Sequence, residues 1–218
     1  MKNETVLIGT RQILPAEVFA HFITEERLGK PAMIVRDGRA ALRKIIDLRP
    51  CLIILDAFLP VLSTIAILEE LHKRNLYPPV ICFCPEVNKI MAVKLFKSGV
   101  RGIIDYQASI EEVNELIRQV KSGKKIIPDA IAQAIEARDF EMNHDKYSEI
   151  TTRQIEVMHL TGEGCSNSEI AYKLKISEKT VEKHKTKIRD KTGLSSSAEI
   201  AVFAITHGFV EVKEETCL

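Results

Sequence analysis

The sequence lacks the short motifs that hold nucleotides, cofactors or catalytic metals. It contains neither a G-x-G-x-x-G nor a G-x-x-x-x-G-K-[ST] segment, and its six histidines form no triad or metal-ligand spacing. Its five cysteines, an odd number, include no C-x-x-C pair. We interpret them as free thiols in a reducing compartment rather than as zinc ligands. The sequence therefore predicts no enzyme, no cofactor and no metal site.

Long apolar runs and a strong net charge are also absent. No apolar run approaches the roughly 18 residues of a membrane-spanning helix, and the N-terminus lacks the pattern of a signal peptide. We therefore expect a soluble, cytoplasmic protein without a membrane partner. The formal net charge is only +1, and 45% of the residues are hydrophobic. Any charge that binds nucleic acid must therefore be local.

Basic charge is concentrated in one segment near the C-terminus. Between Lys173 and Lys191 there are eight basic and three acidic residues. At the helical period, residues 177–191 divide into an apolar side with Val181 and Ile188 and an opposite, largely basic side. A helix with one face for a small core and one for solvent suits entry into a DNA groove. The alternative is an ordinary surface helix with solvated lysines.

Two predicted helices precede this basic helix and one follows it. Residues 150–164 indicate one helix, and residues 167–174 indicate a short helix that Ser166 can cap. A three-residue turn leads from the short helix to the basic helix, so the two form a helix-turn-helix. The last helix, over residues 198–207, carries an apolar stripe that either packs in the core or forms a dimer surface. The stripe consists of Ala198, Ala201, Val202 and Ile205.

These residues resemble the LuxR-type DNA-binding domain. The shared pattern is T-x-R-Q-x-E-V, then G-x-S-N-x-E-I-A-x-x-L-x-I-S-x-K-T-V-x-x-H, then I-x-x-K, within residues 150–207. The resemblance implies binding to double-stranded promoter DNA, which we expect to involve a homodimer. Glu182 departs from the family, in which a base-contacting lysine often stands there; its carboxylate should repel phosphates but could accept a hydrogen bond from a cytosine N4. The expected DNA-binding residues are Ser177, Lys179, Thr180, Val181, Lys183, His184, Lys187 and Lys191.

Residues 1–121 alternate between apolar strands and amphipathic helices. This order predicts an α/β fold, a five-stranded doubly wound parallel sheet, followed by an all-α four-helix helix-turn-helix domain. We expect these domains to span residues 1–121 and 148–210, joined over 122–147 by a linker. The linker should contain a short helix over about 128–139, followed by a polar hinge over 140–148. The predicted strands are 5–9, 32–35, 52–55, 80–84 and 102–105, and the predicted helices are 15–28, 38–47, 64–73, 86–97 and 110–120. Val18 and Ile110 are among the residues expected to face the sheet.

The N-terminal half resembles the receiver domain of bacterial response regulators. The resemblance rests on R-P-C-L-I-I-L-D-A-F-L-P around Asp56, on the order of the elements, and on G-V-R-G-I-I-D before the last helix. Together the two halves resemble the NarL/FixJ branch of that family. This resemblance implies a transcription regulator of a two-component system, with Asp56 as the phosphoacceptor at the carboxyl end of the third strand.

The phosphorylation site departs from that family at four positions. Two acidic Mg²⁺ ligands, a hydroxyl residue and a lysine are replaced by Thr10, Arg11, Cys84 and Tyr106. Because Mg²⁺ needs carboxylate ligands and stabilises the charge of phosphoryl transfer, one aspartate beside an arginine is a poor site. We therefore expect an atypical receiver without Mg²⁺-dependent aspartyl phosphorylation.

Three hypotheses remain open from the sequence. In the first, a regulatory protein, a ligand or dimerisation controls an atypical receiver on a DNA-binding regulator. The second is a conventional regulator phosphorylated on Asp56. The third is a protein-binding adaptor without DNA binding, against which Lys183 and Lys187 argue. Within the receiver, Arg11 either pairs with Asp56 in place of the metal or points to solvent while Asp56 accepts backbone N–H groups.

Overall fold

The chain divides into two compact units, an α/β unit and a C-terminal helical unit. The computed structural model describes residues 4–26, 28–29, 33–84, 89–105, 107–128, 132, 150–206 and 209–210. Apart from Pro128 and Ala132, the linker helix predicted over residues 128–139 and the polar hinge predicted over 140–148 lie outside the described residues. The linker and the domain boundaries therefore stay predictions.

Five strands form the sheet of the α/β unit, as predicted. They are β1 (Val6–Gly9), β2 (Met33–Val35), β3 (Leu52–Asp56), β4 (Val80–Cys84) and β5 (Gly102–Asp105). Every neighbouring pair is parallel, in the order β2-β1-β3-β4-β5. From β1 the chain adds β2 on one side and then β3, β4 and β5 on the other, so the strand order changes direction between β1 and β3. Doubly wound sheets bind their ligands at this point, outside the carboxyl ends of the strands.

The helices of this unit cover a sheet whose strands are apolar on both faces. They are α1 (Ile13–Glu25), α2 (Gly38–Leu48), α3 (Thr64–His72), α4 (Lys89–Lys97) and α5 (Ile110–Lys121). Val6 and Ile8 belong to one buried cluster with Phe19 of α1 and Ile117 of α5. Because side chains alternate along a strand, the equally buried Leu7 faces the opposite side. Burial on both faces explains the continuous apolar runs of the sequence.

Two helical residues that were predicted to face the sheet are exposed. Val18 is 53% exposed and Ile110 is 68% exposed. Successive helical residues are about 100° apart, so Val18 cannot share the inward position of its neighbour Phe19. Ile110 is the first residue after the N-cap Ser109, and the side of α5 that packs on the core begins one turn later at Val113 and includes the fully buried Ile117. The spacing of apolar residues therefore predicted both helices correctly, but it did not predict which apolar residues at the edge of each helix are exposed.

The loop after β3 is held against the start of α2. The Gly38 N–H donates to the Pro60 carbonyl at 2.9 Å. A Cβ at Gly38 would lie 1.8 Å from the Leu62 carbonyl oxygen, so any side chain there would displace the loop. Thr64 of α3 closes the loop by donating its hydroxyl to the Asp56 carbonyl at 2.7 Å. These contacts fix the backbone that carries Asp56.

Four helices form the C-terminal unit. They are α6 (Thr152–Gly162), α7 (Asn167–Leu174), α8 (Glu178–Thr192) and α9 (Ser197–Thr206). Thr151 and Ser166 cap α6 and α7 in capping boxes, and Ser177 caps α8, so side chains satisfy backbone N–H groups at all three starts. The fully buried core residues include Val157, Met158, Ile170, Val181, Ile188, Ile200 and Ala204. In the described part of the chain, no helix has the length and apolarity needed to cross a membrane.

Candidate functional site

The solvent side of α8 is basic. Lys179, Lys183 and Lys187 are exposed, whereas Val181 and Ile188 are fully buried on the opposite side. Lys183 and Lys187 form no ion pair with any described carboxylate. Their ammonium groups are therefore available to external anions such as phosphate.

The first turn of α8 is held by its N-cap. Ser177 Oγ accepts the Thr180 N–H at 3.1 Å, and the two hydroxyl oxygens are 2.8 Å apart. The preceding turn contains Lys175 in the left-handed conformation, with φ of 53°. The turn and the N-cap therefore fix the direction in which the backbone leaves α7 and begins α8.

One carboxylate lies beside the exposed lysines of α8. Glu182 Oε1 accepts from Arg189 Nη2 at 3.0 Å, and Glu182 Oε2 accepts from Asn167 Nδ2 at 3.1 Å. Arg189 Nη2 also donates to Thr186 Oγ1 at 3.1 Å. The hydrogen bond from Arg189, supported by that from Asn167, holds the pKa of Glu182 below its usual range. This network joins α7 to α8 on the exposed side of the helix-turn-helix.

Of the four residues in this network, only Glu182 was predicted from the sequence to have a role in DNA binding. The seven-residue spacing of Glu182 and Arg189, which places both on one side of a helix two turns apart, is a signal that could have indicated their pairing. No comparable signal exists for Asn167, which lies on a different helix. Its contact with Glu182 depends on how α7 crosses α8.

Two basic side chains of α8 lie toward the core rather than on the exposed face. Lys185 is only 4% exposed, and burial lowers its pKa. His184 is partly buried, and its pKa is lowered first by burial and then by the charges of Arg153 and Lys187. The positive field of α8 is therefore weaker and more one-sided than its lysine count indicates. The position of Lys185 between Val181 and Ile188 on the helix surface was the available signal.

In the α/β unit, Asp56 lies at the carboxyl edge of the sheet beside the end of β1. Leu55 pairs with Gly9, so the residues that follow, Asp56 and Thr10, adjoin at this edge. The buried Thr10 donates its hydroxyl to Asp56 Oδ2 at 3.4 Å, and Asp56 Oδ1 accepts the Phe58 N–H at 2.9 Å. The Asp56 carboxylate thus accepts hydrogen bonds from a neutral hydroxyl and from a backbone N–H.

Arg11 does not form the hypothesised ion pair with Asp56. Arg11 is exposed, and its carbonyl accepts from Arg36 Nη1 at 3.5 Å. The geometry matches the alternative in which Asp56 accepts a backbone N–H. Cys84 is buried at the end of β4, and Tyr106 lies outside the described residues. No group of three or more His, Cys, Asp or Glu side chains in the described part could hold a metal ion.

A family comparison decides the class of the C-terminal unit. Residues 148–204 match the model described as bacterial regulatory proteins, luxR family. The C-terminal unit is a LuxR-type helix-turn-helix domain. Its α7 and α8 are the two helices of the helix-turn-helix.

The chain as a whole, LuxR-type domain included, is similar to response regulators. It is 26% identical to the response regulator GacA of Pseudomonas aeruginosa over 178 residues, 80% of this chain and 82% of GacA. It is 27% identical to the transcriptional activator protein ExaE of Pseudomonas putida over 196 residues, 88% of this chain and 92% of ExaE. RcsB from Salmonella enterica serovar Typhimurium, in a structure bound to promoter rprA, has the same fold, with a TM-score of 0.66 and 16% identity over 93% of this chain and 98% of RcsB. The chain is therefore similar to response regulators over most of its length, and it combines a receiver-like unit with a LuxR-type domain.

Within the LuxR-type domain, the residues predicted to bind DNA differ in exposure. Ser177, Lys179, Lys183 and Lys187 are exposed, and Thr180, His184 and Lys191 are partly exposed. The Lys191 ammonium donates to Gln154 Oε1 at 3.2 Å, so this lysine also ties α8 to α6. Val181 differs from the others, because its side chain is 0% exposed on the apolar side of α8, where it packs in the core.

The apolar stripe of α9 is only partly exposed, because Ala201 and Ile205 are partly buried. Val202 is 58% exposed, and Ala198 is also exposed, whereas Ile200, Phe203 and Ala204 are buried. Core packing therefore accounts for the other side of α9. Ala198 and Val202 remain accessible to a partner surface.

Proposed function

We propose that the protein is a transcription regulator whose LuxR-type domain binds double-stranded promoter DNA through α8. The observation that carries this proposal is the division of α8 into an exposed basic side and a buried apolar side. Lys179, Lys183 and Lys187 are exposed on one side, and Val181 and Ile188 anchor the other side in the core. A helix anchored in this way can enter the major groove while its lysines neutralise phosphates.

The proposal includes binding as a homodimer. The partly exposed stripe on α9, with Val202 at its centre, provides an apolar surface that a second copy can cover. A symmetric dimer would place two copies of α8 about one turn of DNA apart, on a near-palindromic site. Binding of RcsB to promoter rprA supports the extension of DNA binding to this homologue.

We further propose that the receiver-like unit is atypical and lacks Mg²⁺-dependent aspartyl phosphorylation. Thr10 and Arg11 supply no carboxylate, and the Thr10 hydroxyl already contacts Asp56 Oδ2. A hard cation such as Mg²⁺ needs several oxygen ligands, usually including carboxylates, so the described donor set does not fit it. A regulatory protein, a ligand or dimerisation would then control this unit. We expect the protein to act in the cytoplasm.

A mobility-shift experiment tests DNA binding. The full-length protein is mixed with fragments of its own promoter region and with an unrelated duplex of equal length. A regulator should retard the promoter fragment at concentrations that leave the unrelated duplex free. The adaptor hypothesis predicts no retardation of either duplex.

Acetyl phosphate tests the receiver proposal. The full-length protein is incubated with acetyl phosphate and Mg²⁺, and its intact mass is measured under neutral conditions, with Asp56→Asn as the control. We expect no phosphoryl adduct. A stoichiometric, Mg²⁺-dependent adduct that Asp56→Asn abolishes would contradict the proposal. A double variant, Thr10→Asp with Arg11→Asp, should acquire Mg²⁺ binding that calorimetry detects.

A further inference from the structure

The exposed side of α8 contains an ionised carboxylate in a position that opposes phosphate binding. The Glu182 side chain is 48% exposed, and its ion pair is made with Arg189. Arg189 contributes a planar guanidinium, which fixes geometry better than a mobile lysine ammonium. Asn167 approaches from α7, so the carboxylate is held from two helices. Such positioning suits a group that is oriented for recognition.

The Glu182 carboxylate retains hydrogen-bonding capacity. An ionised carboxylate has about four acceptor positions. Arg189 uses one on Oε1 and Asn167 uses one on Oε2. The other lone pairs lie on a half-exposed side chain and can accept from an external donor. An acceptor with no donor of its own recognises amino groups and rejects bases that present only acceptors.

We propose that Glu182 selects a cytosine in the major groove by accepting a hydrogen bond from its N4 amino group. This inference rests on the proposed function, because it requires α8 to enter the major groove. Guanine and thymine present only hydrogen-bond acceptors there, and they would repel the carboxylate. Adenine has an N6 donor, but its neighbouring N7 acceptor would face the second oxygen. Cytosine has no acceptor beside N4, so the carboxylate favours it.

Asn167 and Arg189 are positioning residues in this contact. Their hydrogen bonds direct the Glu182 carboxylate and offset the charge that would otherwise repel the phosphates. Without them, the carboxylate can rotate away from the base edge. Replacing either residue should therefore weaken the preference for one base pair and not only the overall affinity for DNA.

Selection from a randomised duplex library tests the inference. The full-length wild type, Glu182→Gln and Glu178→Gln are each used to enrich duplexes. Glu178, in the first turn of α8, is exposed and undergoes the same change of charge, so it is the matched control. We expect the wild type to require a C·G pair at one position of each half-site. Glu182→Gln should change that preference to adenine, because glutamine pairs with both N6 and N7. Glu178→Gln should retain the cytosine.

Anisotropy titrations with duplexes that differ at this pair measure the effect. The wild type should bind the cytosine duplex at least about fivefold more tightly than the adenine duplex. Asn167→Ala, and Arg189→Lys, which keeps the charge, should reduce this ratio. A purely structural role would weaken binding to both duplexes equally and leave the ratio unchanged.

The outcomes separate this inference from the proposed function. If the wild type enriches specific duplexes but Glu182→Gln enriches the same ones, the inference is overturned and DNA binding stands. Adenine at the dependent position in the wild type would also overturn it. If the wild type enriches no duplex, the proposed function fails, and the inference fails with it.

Discussion

Replacing Lys183 and Lys187 by alanine should reduce the salt dependence of DNA binding. Both lysines are exposed on α8, and neither forms an ion pair within the described part of the chain. Each ammonium can therefore replace a counterion on the DNA backbone. Binding releases that counterion, which makes the affinity depend on salt.

The size of the effect follows from the number of lysines removed. Each neutralised phosphate contributes about 0.9 to the slope of log affinity against log salt concentration. A dimer carries two copies of each lysine, so the double variant should lose about 3.6 from the slope. Between roughly 50 and 200 mM salt, the wild-type affinity should then fall by about two more powers of ten than the affinity of the variant.

Fluorescence anisotropy over a salt series measures both slopes, on a specific duplex and on an unrelated one. Lys44→Ala is the control, because Lys44 is exposed on α2 and its loss removes the same charge from the receiver-like unit. The control should keep the wild-type slope. Parallel lines for the wild type and the double variant on both duplexes would refute the assignment of this face to DNA.

Three further predictions concern the LuxR-type domain. Val181→Ala removes two buried methyl groups and should lower the free energy of unfolding by about 2 kcal/mol. Val202→Ala, at an exposed position, is the control and should change this free energy by less than about 0.5 kcal/mol. Urea titrations at low protein concentration and without DNA measure both. Ser166→Ala removes the capping box with Glu169 and should cost about 1 kcal/mol, measured as a lower Tm. Burial lowers the pKa of His184 from 6.5, so the unfolded chain binds more protons, and stability should be lost as the pH falls below that value. His184→Gln should lose less stability over the same pH range, and an equal loss would contradict this cause.

The order of elements and the helix-turn-helix were predictable from the sequence because they depend on local patterns. Five apolar runs separated by amphipathic helices specify a parallel sheet that is buried on both faces. Ser166 and Ser177 cap their helices through contacts within a few residues, so their roles follow from spacing alone. Asp56 could be placed at the sheet edge because carboxyl ends of parallel strands meet there.

The tertiary structure alone decided how individual side chains are used. Helical spacing places Lys185 beside Val181 and Ile188, but its burial to 4% exposure, against the exposed Lys183, depends on how the other helices cover α8. The pairing of Glu182 with Asn167 joins residues on two helices, and the crossing of those helices sets it. Helical periodicity fixes the angles between side chains on one element, but contacts between elements require the packed structure.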